Sequence, residues 1–159
     1  PRCKTVSGEK WGDMPVGNGE SMQYKIVPKA LPGFPDYHTI QITYNFGSNG
    51  VQGPNHPLPG QPYFAIGFPK TAFLPDTEAG RRVLTHLETA FQRRLTFTIV
   101  RDPSTGQEDV LDWSPGLEHK TEWGPKSESG RGGYPDDGYL ERVLGQLGML
   151  GIVQQEHDV

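Results

Sequence analysis

Residues 75–100 read PDTEAGRRVLTHLETAFQRRLTFTIV, and this stretch predicts a capped helix that passes directly into a strand. Asp76 or Thr77 can accept hydrogen bonds from free backbone N–H groups, and Glu78 suits the positive end of the helix dipole. Apolar residues then recur at helical spacing on one face, at Val83, Leu84, Leu87, Ala90 and Phe91. Over 95–99, apolar residues alternate with threonine, which is typical of a half-buried strand.

The segments before this helix predict strands and loops. Alternation over 39–46 places four apolar side chains on one face, those of Ile40, Ile42, Tyr44 and Phe46. Residues 22–27 alternate more loosely and predict a first strand. The four prolines within 53–62 exclude a helix or central strand there and favour a surface loop. Residues 1–20 are polar and glycine-containing, and we interpret them as a connector outside the core.

The segments after the helix predict a hairpin and a second helix. Residues 110–113 suit the returning strand of a hairpin. The final helix is predicted to open at 135–137 and to end at Gly148 or Gly151. Its buried stripe consists of Tyr139, Leu140, Val143, Leu144 and Leu147. The order of elements predicts a single α+β domain with a small mixed, mainly antiparallel sheet, two main helices and long Pro/Gly-rich loops.

Composition excludes several classes. The 159 residues suffice for one domain, and 33% hydrophobic residues with Gly 21 and Pro 15 indicate a loop-rich domain with a modest core. No apolar run is long enough to span a membrane, and no signal peptide is visible. The single cysteine, Cys3, forms no internal disulfide. The net charge of -4 does not favour broad nucleic-acid binding.

Known catalytic and metal templates are absent from the sequence. The histidines are scattered and have no metal-ligand spacing, and they are His38, His56, His86, His119 and His157. Neither a Walker loop nor a dinucleotide fingerprint occurs, and no nucleophile is paired with a base. A free-standing hydrolase or transferase is therefore not favoured.

The glycine cluster over 130–133 precedes the final helix and predicts an anion site. Unpaired N–H groups at a helix start carry partial positive charge, and glycine permits close approach of a ligand. Arg131 would add a full charge, and Tyr134 and Tyr139 could hold a ring, as in a nucleotide diphosphate. The alternative is a plain loop with Tyr134 packed under the helix.

Three further places in the sequence have alternative interpretations. Trp113 suits either the core or a ligand platform. Ser104 and Thr105 are ordinary turn residues whose hydroxyls could also bind a ribose or phosphate. His119 could bind a ligand or be a satisfied structural histidine.

Several segments, in order and spacing, resemble the C-terminal domain of the Deltex family of RING ubiquitin ligases. The carrying segments are Gly60–Tyr63, Ala72–Asp76, Gly80–Leu84, Ala90–Ile99, Ser104–Gly106, His119–Glu122 and Gly133–Asp136 followed by Tyr139–Leu140. Pro1–Val6 also resembles the end of the family's RING, which would make Cys3 the last zinc ligand of that RING. The resemblance divides the chain into a RING end and linker at 1–16, a Deltex C-terminal domain at 17–155 and a tail at 156–159.

The resemblance implies a module that binds ADP-ribose or NAD and recruits substrates beside a RING that binds the ubiquitin-loaded conjugating enzyme. We expect no tightly bound cofactor in this domain, and zinc would belong to the RING. The domain alone would not be catalytic. The expected partners are the conjugating enzyme and ADP-ribosylated or other proteins. No membrane partner is expected, and nucleic acid is expected only as an ADP-ribose-like ligand. A cytoplasmic or nuclear location is implied. The resemblance implies ligand-binding positions at Ser104, Thr105, Trp113, His119, Tyr134, Pro135 and Tyr139. The anion site predicted from the glycine cluster adds Arg131 and Gly133.

Two departures from the family pattern concern catalysis. The family usually has a histidine where this sequence has Gly132, and a glutamate where it has Gln146. That pair is credited with activating a ribose hydroxyl, and neither residue here can accept a proton near neutral pH. Glu118 also stands where many members have a histidine. We therefore expect weak or absent ubiquitin transfer to ADP-ribose. The alternative to a ligand-binding module is a protein-interaction domain whose pocket has degenerated and which docks substrates or positions the RING.

Overall fold

The computed structural model describes residues 11–17, 19–47, 50–54, 56, 58–100, 109–124 and 133–152. In chain order the elements are β1 (Ser21–Val27), β2 (Thr39–Asn45), β3 (Gly50–Val51), β4 (Pro62–Tyr63), β5 (Lys70–Pro75), α1 (Glu78–Gln92), β6 (Phe97–Val100), β7 (Val110–Trp113) and α2 (Tyr139–Met149). Two helices and small antiparallel sheets confirm the predicted α+β class. The described strands form three sheets, β1-β2-β5, β3-β4 and β6-β7, and a parallel bridge joins Phe64 to Val110.

The three-stranded sheet contributes one apolar face to the core. β2 pairs antiparallel with both neighbours, and Ile42 lies opposite Tyr24 of β1 and Ala72 of β5. Alternation along β2 buries Ile40, Ile42 and Tyr44 completely, as the sequence predicts.

Helix α1 closes that core from one side. The Thr77 side chain accepts the Gly80 N–H at 3.0 Å, so the predicted N-cap is confirmed. Its buried face includes Val83, Leu84, Leu87 and Ala90, which match the predicted stripe. Gly80 lies so close to the Pro75 carbonyl that a Cβ there would collide with it.

Helix α2 differs from its prediction at both ends. It begins at Tyr139 with Gly138 as N-cap, so 135–137 lie before the helix, where Asp136 O accepts the Tyr139 N–H at 3.1 Å. It ends at Met149, so the alternative stop at Gly148 is wrong. Gly151 terminates it with a left-handed φ of 82°, which confirms the other stop.

The segment before β1 belongs partly to the core. Met14 is 1% exposed, so its interpretation as a connector residue outside the core is wrong. Backbone N–H groups of Gly12 and Met14 donate to the carbonyls of Arg93 and Arg94 at 2.8 and 3.3 Å, and these bonds draw the segment onto the end of α1. Within the described residues, no helix has both the length and the apolar character that crossing a bilayer requires.

Candidate functional site

A cleft of about 350 Å³ opens between the start of β5 and the end of β7. The described side chains that line it are Lys70, Thr71, Asp112, Trp113 and Thr121. Its walls therefore combine an indole, two hydroxyl-bearing side chains and one residue of each charge. The lining thus offers one apolar surface and several hydrogen-bonding and charged groups to a polar ligand.

The Trp113 indole joins this cleft to the aromatic core. It is 8% exposed, and its ring centroid lies 4.8 Å from that of Phe97 and 4.4 Å from that of His119. Packing on both neighbours fixes the indole, which confirms the core interpretation. Because Trp113 also lines the cleft, the platform interpretation stays open as a prediction.

His119 lies behind Trp113 and is buried completely. Its Nε2 is 3.1 Å from the Tyr44 hydroxyl, and its Nδ1 is 3.3 Å from the Leu117 carbonyl oxygen. The carbonyl can only accept, which places the proton on Nδ1 and leaves Nε2 to accept from Tyr44. Burial raises the pKa of Tyr44 well above its usual range, so the hydroxyl keeps the proton that it donates. His119 therefore has structural partners on both ring nitrogens.

Three residues of α2 hold the residue that precedes His119. The Tyr139 hydroxyl donates to the Glu118 carbonyl at 2.9 Å, and the Glu118 N–H donates to Gln146 Oε1 at 2.7 Å. Arg142 Nε and Nη2 donate to the two carboxylate oxygens of Glu118 at 2.8 and 3.0 Å. The three side chains are three and four residues apart and thus share one helix face. The amide oxygen of Gln146 is therefore engaged with the backbone.

A charged cluster covers the start of α2. The Asp136 carboxylate accepts hydrogen bonds from Arg142 and Lys120, each at 2.7 Å. The hydrogen bond from Arg142, then that from Lys120, lowers the pKa of Asp136 to about 2. The hydrogen bond from Arg142 likewise lowers the pKa of Glu118. The chain thus places a carboxylate of its own beside the helix start at which we predict a ligand anion.

Tyr134 and Gly133 pack tightly on neighbouring segments. The buried Tyr134 hydroxyl donates to the Phe73 carbonyl at 2.6 Å, and its ring centroid is 6.1 Å from that of Tyr139. A Cβ on Gly133 would collide with the carbonyl oxygens of Glu122 and Gly124. These contacts fix the segment that precedes α2, whereas Pro135 is exposed. Ligand contact at these positions stays a prediction.

Ser104, Thr105, Arg131, Gly132 and Cys3 lie outside the described residues, so their predicted roles are unchanged. Among the residues that the structure does describe, no group of three or more His, Cys, Asp or Glu side chains could hold a metal ion.

Four lining residues were not singled out as candidate ligand contacts in the sequence, namely Lys70, Thr71, Asp112 and Thr121. Thr121 belongs to a segment that carries the family resemblance, so the sequence held one indication that it could contact a ligand. The others come from strand ends that only the tertiary fold brings together.

Comparison with known proteins identifies the domain. Residues 11–152 match the Deltex C-terminal domain. The chain is 45% identical over 152 residues to Homo sapiens "E3 ubiquitin-protein ligase DTX1" and 45% identical over 152 residues to Mus musculus "E3 ubiquitin-protein ligase DTX4". It is 40% identical over 154 residues to Homo sapiens "Probable E3 ubiquitin-protein ligase DTX3". These matches cover 96% of this chain but 23%, 24% and 42% of the respective relatives.

Proposed function

The chain belongs to the Deltex C-terminal domain family, and from this premise we propose that it binds ADP-ribose or NAD and recruits modified substrates for a longer RING-type E3 ubiquitin ligase. The observation that carries the proposal is the cleft of about 350 Å³ beside Trp113. Its volume falls within the range of roughly 300–1,000 Å³ that is usual for small-molecule pockets.

The chemistry of the cleft suits part of a nucleotide. The part of the Trp113 indole that lines the cleft offers an apolar surface to a ligand, and the hydroxyls of Thr71 and Thr121 offer hydrogen bonds to a ribose. Trp113 is fixed by its packing against Phe97 and His119, so little ordering of that wall would be needed on binding. Ser104, Thr105 and Arg131 would extend the site if their predicted roles hold.

Calorimetric titration of the chain with ADP-ribose tests this proposal. We expect a dissociation constant below about 1 mM, which corresponds to roughly 4 kcal/mol of binding free energy. Thr121→Trp fills the cleft and should abolish the heat of binding. Thr85→Trp makes the same change on the exposed face of α1 and should leave binding intact. Flat titrations of the unaltered chain, or equal loss in both variants, would contradict the site.

For the longer protein, we propose that a RING receives the ubiquitin-loaded conjugating enzyme while this domain supplies the substrate. Transfer of ubiquitin to ADP-ribose itself is proposed to be weak, since Gly132 and Gln146 replace the family's histidine and glutamate. The Gln146 oxygen already accepts the Glu118 N–H, which supports a structural use of this side chain. Gly132→His combined with Gln146→Glu should raise transfer in the RING-containing protein. Equal transfer by the unaltered protein would contradict the proposed loss of the base.

A second candidate function rests on the edge strand β1. Tyr24 and Ile26 lie opposite the buried Ile42 and Ile40, yet they are 52% and 44% exposed. Apolar side chains on the core-facing side of an edge strand could dock another protein. This docking function would replace ligand recognition if ADP-ribose fails to bind.

A further inference from the structure

We propose that Lys70 is the residue with which the cleft recognises a negatively charged ligand, and that Asp112 limits this attraction. This inference rests on the proposed function and deepens it, because it assigns the charge selectivity of the same cleft. It predicts preference for ligands that carry a phosphate or pyrophosphate over the corresponding neutral nucleosides. Lys70 is the one cation among the described residues that line the cleft.

The Lys70 ammonium is held in the cleft by weak contacts. Its Nζ lies 3.8 Å from Asp112 Oδ1 and 5.0 Å from the ring centroid of Phe68. The first distance is too long for a hydrogen bond, so the ammonium does not donate one to the Asp112 carboxylate. The side chain is 19% exposed, which places its stem against protein and its charge at the cleft. A phosphate oxygen at hydrogen-bond distance would therefore be a stronger partner than the present carboxylate.

Asp112 is oriented independently of Lys70. Its Oδ1 accepts the backbone N–H of Trp113 at 2.8 Å, and its side chain is 47% exposed. The carboxylate is therefore fixed beside the indole, where it opposes any ligand anion that approaches Lys70. Ion pairs this exposed contribute little to stability, so exchange of Asp112 for a phosphate as the partner of Lys70 is feasible.

The two residues have opposite predicted effects on an anionic ligand. Removing the positive charge should weaken ADP-ribose binding, whereas neutralising Asp112 should strengthen it. Neither change should affect adenosine, which carries no phosphate. This pairing of signs is a property of charge recognition that a general loss of structure would not reproduce.

Calorimetric titrations with ADP-ribose and with adenosine, at about 50 mM and about 200 mM salt, provide the test, since these concentrations differ in how strongly they screen charge. Lys70→Met keeps an apolar stem against Phe68 and removes the charge. It should raise the ADP-ribose dissociation constant about tenfold at low salt, as expected for loss of one charged hydrogen bond. Asp112→Asn retains an acceptor for the Trp113 N–H and should lower that constant about two- to threefold. Lys25→Met, on the exposed side of β1, is the matched control and should change nothing.

The possible results separate this inference from the proposed function. If neither ligand binds to the unaltered chain, both are overturned. If ADP-ribose binds and Lys70→Met and Asp112→Asn leave its affinity unchanged, only the role of Lys70 and Asp112 is overturned. An equal loss of ADP-ribose and adenosine binding in Lys70→Met would also overturn it, because the effect would then not depend on ligand charge. Thermal unfolding of each variant identifies any that fails to fold, and Asp112→Asn then decides alone by the sign of its effect.

Discussion

The two halves of this domain are held together in different ways. In the sheet–helix region (β2, residues 72–75 of β5, and α1), the buried residues are mainly apolar and recur with the period of their own element. In the cleft region (residues 70–71, 109–124 and 133–149), buried polar groups are bonded to residues distant in sequence, as His119 is to Tyr44. The first region is therefore specified by local periodicity, whereas the second depends on the folded first region to supply its partners.

This difference has an energetic consequence. Removing a fully buried aliphatic side chain loses transfer free energy and leaves a cavity, at a cost of about 2–5 kcal/mol. Removing one hydrogen-bonding group costs about 1–3 kcal/mol when its partner is left buried. We therefore expect the sheet–helix region to dominate stability and the cleft region to dominate ligand binding.

The largest effect is expected from a change in the sheet–helix region. Ile42→Ala should lower the free energy of unfolding by about 2–5 kcal/mol, because this side chain is fully buried on the core face of β2. Urea denaturation measures it. Ile26→Ala removes a side chain of the same chemistry that is 44% exposed and is the matched control. Comparable losses in both variants would break the distinction between the buried and exposed positions of this sheet.

An intermediate effect is expected at the contact between α2 and the cleft. Tyr139→Phe removes the hydroxyl that donates to the Glu118 carbonyl and should cost about 1–2 kcal/mol of unfolding free energy. Since Glu118 precedes His119, ADP-ribose affinity should also fall. The exposed Tyr24→Phe is the control, with no expected change in either quantity. Unchanged affinity in Tyr139→Phe would show that this bond does not support the cleft.

The charged cluster predicts that the cleft region loses stability at acidic pH. The pKa of Asp136 is lowered from 3.8 to about 2, so its contribution to stability is complete above about pH 4 and is lost as the pH falls through 2. Glu118 contributes with the same sign. Arg142→Gln should move the Asp136 pKa upward and flatten the loss of stability between pH 4 and 2. Carboxylate titration by NMR measures the shift, and an unchanged Asp136 pKa would contradict the assigned cause.

The smallest effect is expected at Thr96, which lies just before β6. Its hydroxyl is buried, and among the described atoms it has no hydrogen-bond partner. Thr96→Val should leave stability unchanged or raise it by up to about 1 kcal/mol, because an unsatisfied polar group is replaced by an apolar one. Thermal unfolding is the measurement. A clear loss of stability would contradict this prediction, because it would indicate that the Thr96 hydroxyl makes a hydrogen bond.

The sequence predicted the first region well because its signals are local. Alternation over 39–46 located the buried face of β2, and Thr77 followed by apolar residues at helical spacing located α1. The sequence predicts too early a start for α2, at 135–137. Asp136 lies before the helix, and its carboxylate accepts hydrogen bonds from Lys120 and Arg142. The side chain serves a tertiary contact that no local pattern reveals.

The candidate site was only partly predictable for the same reason. Trp113 was identified as a candidate, and the structure places it on the cleft. Lys70 and Asp112 meet there because the start of β5 lies near the end of β7, although the two residues lie far apart in the chain. No spacing pattern in the sequence indicates that two such residues are close in the fold.

The most direct test of the ligand site uses the chain's own tryptophans as reporters. In an NMR titration with ADP-ribose, the indole N–H resonance of Trp113 should shift saturably, because its ring lines the cleft. The resonance of Trp11, which is 64% exposed and does not line the cleft, should stay in place. A Trp113 resonance that does not move at millimolar ADP-ribose would contradict the assignment of this cleft as the nucleotide site.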